Sequence, residues 1–214
     1  MTGNNLLFVE GVDDQHVIYA IRDFYEIPKE LFEVKNKAGI EGVIAGTDST
    51  LIDGSPDIRL GIVIDADQDL SSQWQRVAGI LRTAGYQTTP NNPDANGTII
   101  KEVGKVIFGV WIMPDNVTTR GMLEDFLSFL VPDKDSNIIW KKAVLSSQEI
   151  LTEVEAGKRF PDIHLSQAQI HSYLAWQKNC GKPFGTAITA EYLQASNPQC
   201  KIFADWLKRL FVDT

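Results

Sequence analysis

Cysteine and histidine are scarce in this chain of 214 residues, which has two of the first, Cys180 and Cys200, and three of the second, His16, His164 and His171. That leaves no disulfide scaffold and no Cys–His cluster for zinc, and the histidines share no metal-like spacing. No run approaches the roughly 18 consecutive apolar residues of a membrane span, and no basic segment leads into an apolar run at the N-terminus. Positive charge is in deficit as well. Twenty lysines and arginines against 28 acids give a formal charge of −8, which disfavours indiscriminate coating of phosphate backbones. A nucleic-acid enzyme is not excluded, because cations held by carboxylates invert the local field. The expectation is a cytoplasmic protein with reduced thiols, long enough to bury an ordinary core.

What the chain does contain is strand patterns alternating with helix patterns. Leu6–Val9 is a short apolar run, and after Glu10-Gly11 the apolar positions Val17, Ile18, Ile21 and Phe24 fit a helix. A second strand is expected at Leu31–Val34 and a helix after Gly39. Ile58–Ile64 reads as a buried strand, followed by a helix over about Ser71–Arg82. The segment from Thr89 to Gly97 is the strongest loop signal. Two strands, Thr98–Val103 and Val106–Ile112, then flank a Gly104-Lys105 turn, and Gly121–Leu130 is an amphipathic helix. From about Pro132 the patterns are helical. The five tryptophans sit mostly in apolar patterns that predict core packing. An α/β sheet core over about residues 1–130 with a helical C-terminal part over about 131–214 follows, and residues 1–214 read as a single domain.

Acids gather where strands end. Glu10 follows the first strand, with Asp13 and Asp14 a helical turn on; Asp65 and Asp67 follow the central strand; Asp115 follows a later one, with Glu124 in the next helix. Ligand sites in open α/β sheets lie outside the carboxyl ends of the strands. In an extended segment Asp65 and Asp67 point to one side, and such a pair repels unless a cation lies between. Hard divalent ions, Mg²⁺ or Mn²⁺, suit oxygen ligands. An acid after a strand is also a common cap or turn former: Asp69 is expected to cap the helix that follows it, Asp13 to face a helix dipole, and Glu124 and Asp125 also fit a solvated helix face.

Val9-Glu10-Gly11-Val12-Asp13-Asp14 followed by Ile62-Val63-Ile64-Asp65-Ala66-Asp67 resembles the Toprim domain, the Mg²⁺-binding α/β unit of topoisomerases, bacterial primases and OLD-family nucleases. The glutamate with an acid four residues on looks most like the OLD-type branch. Trp111–Asn116 with Gly121–Leu127, and Gly181–Gly185 with Ala187-Ile188, resemble segments of a small stand-alone Toprim-like family related to those nucleases. The resemblance implies a Toprim-like, Rossmann-like, mostly parallel sheet flanked by helices. It implies Glu10, Asp14, Asp65 and Asp67 as ligands of a first metal, with Glu10 also an acid–base group, and Glu124 with Asp115 at a second metal position. Lys182 is the implied cation for transition-state charge. No G-x-x-x-x-G-K-[ST] loop occurs, so the ATPase domain common in OLD proteins is not expected within these residues.

The expected activity is Mg²⁺- or Mn²⁺-dependent phosphodiester hydrolysis of nucleic acid, DNA rather than RNA. The competing expectation is a non-catalytic metal- or nucleic-acid-binding module that works with a partner ATPase; a homodimer fits either, and no membrane is involved. Other Asp-x-Asp chemistries match less well. A haloacid-dehalogenase-type phosphatase places its pair after the first strand, an EF-hand needs glycine where Leu70 stands, and a receiver domain needs a lysine where Pro114 follows Met113.

Overall fold

The computed structural model describes residues 5–212. Its sheet has the strand order β2-β1-β3-β5-β4. Strands β1 (Leu6–Val9), β2 (Glu33–Asn36), β3 (Arg59–Asp65) and β5 (Ile107–Met113) are parallel, and β4 (Thr98–Ile100) runs antiparallel to β5 at one edge. This is an α/β fold with a mostly parallel, Rossmann-like sheet flanked by helices.

The period of two along the central strands assigns side chains to two cores. Leu60, Ile62 and Ile64 of β3 and Phe108, Val110 and Ile112 of β5 pack with helices α2 (Ile40–Asp53) and α3 (Leu70–Thr83). Val63, Trp111 and Met113 face the other way, against α1 (Val12–Phe24), α4 (Leu123–Phe129), α5 (Ile138–Glu153), α6 (Leu165–Ala175), α7 (Phe184–Thr189) and α8 (Pro198–Phe211). Burial on both faces explains why β3 and β5 read as continuous apolar runs. Gly61 and Gly109 are partners in register on neighbouring strands. A Cβ would lie 3.0 Å from Leu210 at Gly61 and 2.4 Å from it at Gly109, so the bare backbone seats α8 on the sheet.

Three expectations shift. The second strand begins at Glu33, because Lys29–Leu31 forms a 3-10 turn after Pro28. The strand expected to reach Val103 stops at Ile100, where Glu102 turns away to accept hydrogen bonds from the amides of Gln87 and Thr88. Trp176 is 48 % exposed at the end of α6, whereas Trp74, Trp111, Trp140 and Trp206 are buried. Among the described residues no helix is long and apolar enough to cross a membrane.

The chain leaves β1 for β2 on one side and returns to β3 on the other, so the strand order reverses between β1 and β3. Such a reversal opens a crevice at the carboxyl ends of the two strands. Glu10 and Asp65 stand at its lip.

Candidate functional site

Glu10 is the first residue past β1, and its Oε1 accepts the backbone N–H of Asp65 at 2.8 Å. Asp65 ends β3; its Oδ1 is shut off from solvent and has no hydrogen-bond partner. Asp14 lies in the first turn of α1, 9 % exposed, with Oδ2 accepting the N–H of Gly11 at 3.0 Å. A Cβ on Gly11 would also lie 3.0 Å from that oxygen, so glycine leaves room for the contact. Glu124, 8 % exposed, enters from the first turn of α4.

Asp67 reaches the site by a different route from the expected one. Its backbone is left-handed (φ 52°), so strand alternation does not set its direction; aspartate tolerates this region better than most residues. Reciprocal hydrogen bonds of 2.9 and 3.0 Å between the backbones of Asp67 and Gly121 fix the loop. Asp67 Oδ2 accepts from Gln73 Nε2 at 3.0 Å.

The carboxylates sense one another. Burial first, then the charges of Asp14, Glu10, Glu124 and Asp67, push the Asp65 carboxyl well above its ordinary range. Burial and then Glu10 push Asp14 up to about 7. Glu10 is raised by burial and by Asp67, against the lowering effect of the Asp65 amide. Glu124 is raised by burial, with relief from its own backbone N–H, from His171 and from Gln167 on α6. Three separated stretches of chain thus bring Glu10, Asp14, Asp65, Asp67 and Glu124 to one edge.

Asp115 lies apart from this coupled set. Its carboxylate accepts from the amides of Val117 and Thr118 and from the Thr118 hydroxyl, closing its own turn. Lys182 is partly exposed just ahead of α7. That helix packs against α1, approaching so closely that a Cβ on Gly185 would meet the His16 carbonyl at 2.5 Å. Asp69 caps α3, accepting from the Ser71 amide and the Ser72 hydroxyl. Asp13 is exposed in the first turn of α1, and Asp125 accepts the Met122 amide at the start of α4. Sequence reasoning missed Gln73, Gln167 and His171. Gln73 lies one turn into the helix after the Asp-x-Asp loop, where a search at helical spacing would find it; nothing local marks the two residues on α6.

Among the described residues no three His, Cys, Asp or Glu side chains already surround one point as a finished metal-binding group. Glu10, Asp14 and Asp67 instead each spend an oxygen on an amide. The residues nevertheless fit a hard divalent cation. The donors are all oxygens, one buried oxygen on Asp65 is bare, and the mutual repulsion is of the kind such a cation relieves.

Fold and site together define a Rossmann-like α/β protein with a carboxylate cluster at the switch point of its sheet. The chain belongs to the family described as "Protein of unknown function (DUF3226)", which matches residues 4–212. No curated protein matches it. Among solved structures it is similar to the C-terminal region of the Xanthomonas campestris pv. campestris OLD protein, phased with platinum. The identity is 12 % and the TM-score 0.50, over 97 % of this chain and 92 % of that one. A second structure of that region, phased with mercury, gives 10 % identity and a TM-score of 0.41, over 95 % and 98 %. At such identity the likeness is one of fold.

Proposed function

We propose that the chain is a Toprim-like, OLD-related phosphodiesterase that hydrolyses nucleic acid with Mg²⁺ or Mn²⁺. The observation that carries this reading is the bare, buried Oδ1 of Asp65 at the centre of five mutually repelling carboxylates. Structure held against its own electrostatics at a crevice is characteristic of functional sites.

Glu10, Asp14, Asp65 and Asp67 would hold the first cation, and Glu124 offers a second position. Asp115 would have to release Thr118 to join it. When bound, the cation supplies Lewis-acid stabilisation of phosphoryl oxygens and lowers the pKa of a water. Glu10 keeps Asp65 in place by accepting its amide N–H, and its carboxyl, raised by burial, is the acid–base group of this reading. Lys182 adds a positive charge on the side where α7 meets α1, to act on charge developing at the phosphate.

The test is cleavage of plasmid DNA with Mg²⁺ or Mn²⁺ by the wild type and by Asp65→Ala/Asp67→Ala. Activity confined to the wild type supports the reading, and equal activity, or none in either, sinks it. The charge of −8 favours a second reading, a binding module whose partner, such as an ATPase, supplies recognition. Metal binding without turnover, together with co-purification of an ATPase, would favour that one.

A further inference from the structure

Beside the acid edge lies a cavity of about 520 Å³. Asp67 and Gln68 stand at its acid end, Arg120 and Met122 form one wall, and Ser166 and Gln169 of α6 form the other. Its walls are tied down in advance. The Asp67–Gly121 backbone pair and the hydrogen bond from the Leu70 amide to the Thr119 carbonyl (2.8 Å) lock the first wall to the Asp-x-Asp loop. Ser166 Oγ donates to Asp125 Oδ2 at 3.2 Å, which ties α6 to the start of α4.

The charges facing this space are mostly spoken for. Asp125 serves the Met122 amide and Ser166, and Asp162 pairs with Arg159 at 2.6 Å. Arg120 is exposed and, among the described residues, has no ion-pair partner. A cation with no ion-pair partner among the described residues therefore lines the same preformed cavity as Asp67, one residue from the Gly121 that pairs with it. Two side-chain amides, Gln68 and Gln169, line it as well, each able to donate to and accept from the edge of a base.

We infer that this cavity takes one unpaired nucleotide next to the scissile phosphate, with Arg120 on the flanking phosphate, so that the substrate is single-stranded or frayed nucleic acid. This rests on the reading of the acid edge as a phosphodiesterase site. A volume of about 520 Å³ is that of a small-ligand pocket, and a base enters such a space only when out of its stack.

Fluorescence anisotropy with an end-labelled oligothymidylate and a blunt mixed-sequence duplex tests this, with Ca²⁺ replacing Mg²⁺ to prevent turnover. The single strand should bind more tightly than the duplex. Arg120→Glu should weaken it several-fold, Arg120→Lys should retain most of it, and Arg120→Ala should lower the log–log salt slope by about one. Lys142→Glu, on the exposed face of α5, should change nothing. Tighter duplex binding, or Arg120→Glu binding like the wild type, overturns the inference. Calorimetric titration with Mn²⁺ separates the two readings. Mn²⁺ binding without an Arg120 effect removes the cavity's role and leaves the metal reading standing. Arg120-dependent binding of the single strand by a chain that takes up no Mn²⁺ keeps the cavity's occupant and removes the hydrolytic reading.

Discussion

Glu10 Oε1 accepts the backbone N–H of Asp65 across the switch point of the sheet, from the end of β1 to the end of β3. One carboxylate thereby builds the site and belongs to it. The two roles separate by substitution. Glu10→Gln keeps an acceptor for the amide and removes a charge, so the metal-free protein should unfold at no lower urea concentration than the wild type while Mn²⁺ affinity falls. Glu10→Ala leaves the half-buried Asp65 N–H without this acceptor and should cost about 1 kcal/mol. Equal destabilisation by both variants in urea melts would mean that the hydrogen bond is not what Glu10 contributes to the fold.

Stability should depend on pH with an unusual sign. Burial, then Glu10, raises the Asp14 carboxyl from 3.8 to about 7, and Asp65, Glu10 and Glu124 are raised too. Through that window the folded chain binds more protons than the unfolded one, so this contribution is full below the unfolded value and is lost as pH rises through about 7. The metal-free protein should melt at a lower temperature at about pH 8 than at about pH 5. Mg²⁺ binds the deprotonated acids, so it should raise the melting temperature at the higher pH and do little at the lower. Calorimetric melts with and without chelator decide this. Melting temperatures that climb steadily between those pH values in metal-free buffer would contradict it.

Asp65 and Asp69 lie four residues apart and should respond oppositely. Asp65→Asn removes a charge that burial, then four neighbouring carboxylates, disfavour, so the metal-free protein should gain stability at about pH 8 and lose its response to Mg²⁺. Asp69→Ala removes the cap of α3 and should cost about 1 kcal/mol, or roughly 2–4 °C for a chain of this size, with Mn²⁺ affinity unchanged. A shared loss of metal binding would show that the cap and the site are one unit.

The cap at Asp69 and the strand-end positions of Glu10 and Asp65 are legible in the sequence, because strand ends and cap positions follow from local pattern. Glu10, Asp65 and Asp67 follow apolar runs, and Asp69 precedes a helical period. Asp67 is brought in by a left-handed turn stitched to Gly121, over fifty residues away, and strand periodicity carries no trace of that. Gln167 and His171 approach Glu124 only because α6 folds back over α4, a long-range packing event. The early end of β4 has the same character, since Glu102 leaves the strand for amides of an earlier loop. Trp176 fits an apolar pattern but sits half-exposed where α6 ends.

Gly61 and Gly109 make the same point about the core, and they yield the sharpest test of the fold. Each interrupts an apolar strand, where glycine ordinarily costs stability through backbone entropy and absent packing. Their registered pairing leaves a groove that Leu210 fills, and a methyl group at Gly109 would meet that side chain at 2.4 Å. Gly109→Ala should therefore destabilise by about 1–3 kcal/mol as α8 is pushed from the sheet, even though alanine lowers the entropy of the unfolded chain. Gly79, within α3, is the control: a Cβ there meets nothing within 4 Å. Gly79→Ala should stabilise by about 0.5–1 kcal/mol. Urea melts of the two variants should move in opposite directions. Two shifts of the same sign would mean that α8 does not rest on Gly109.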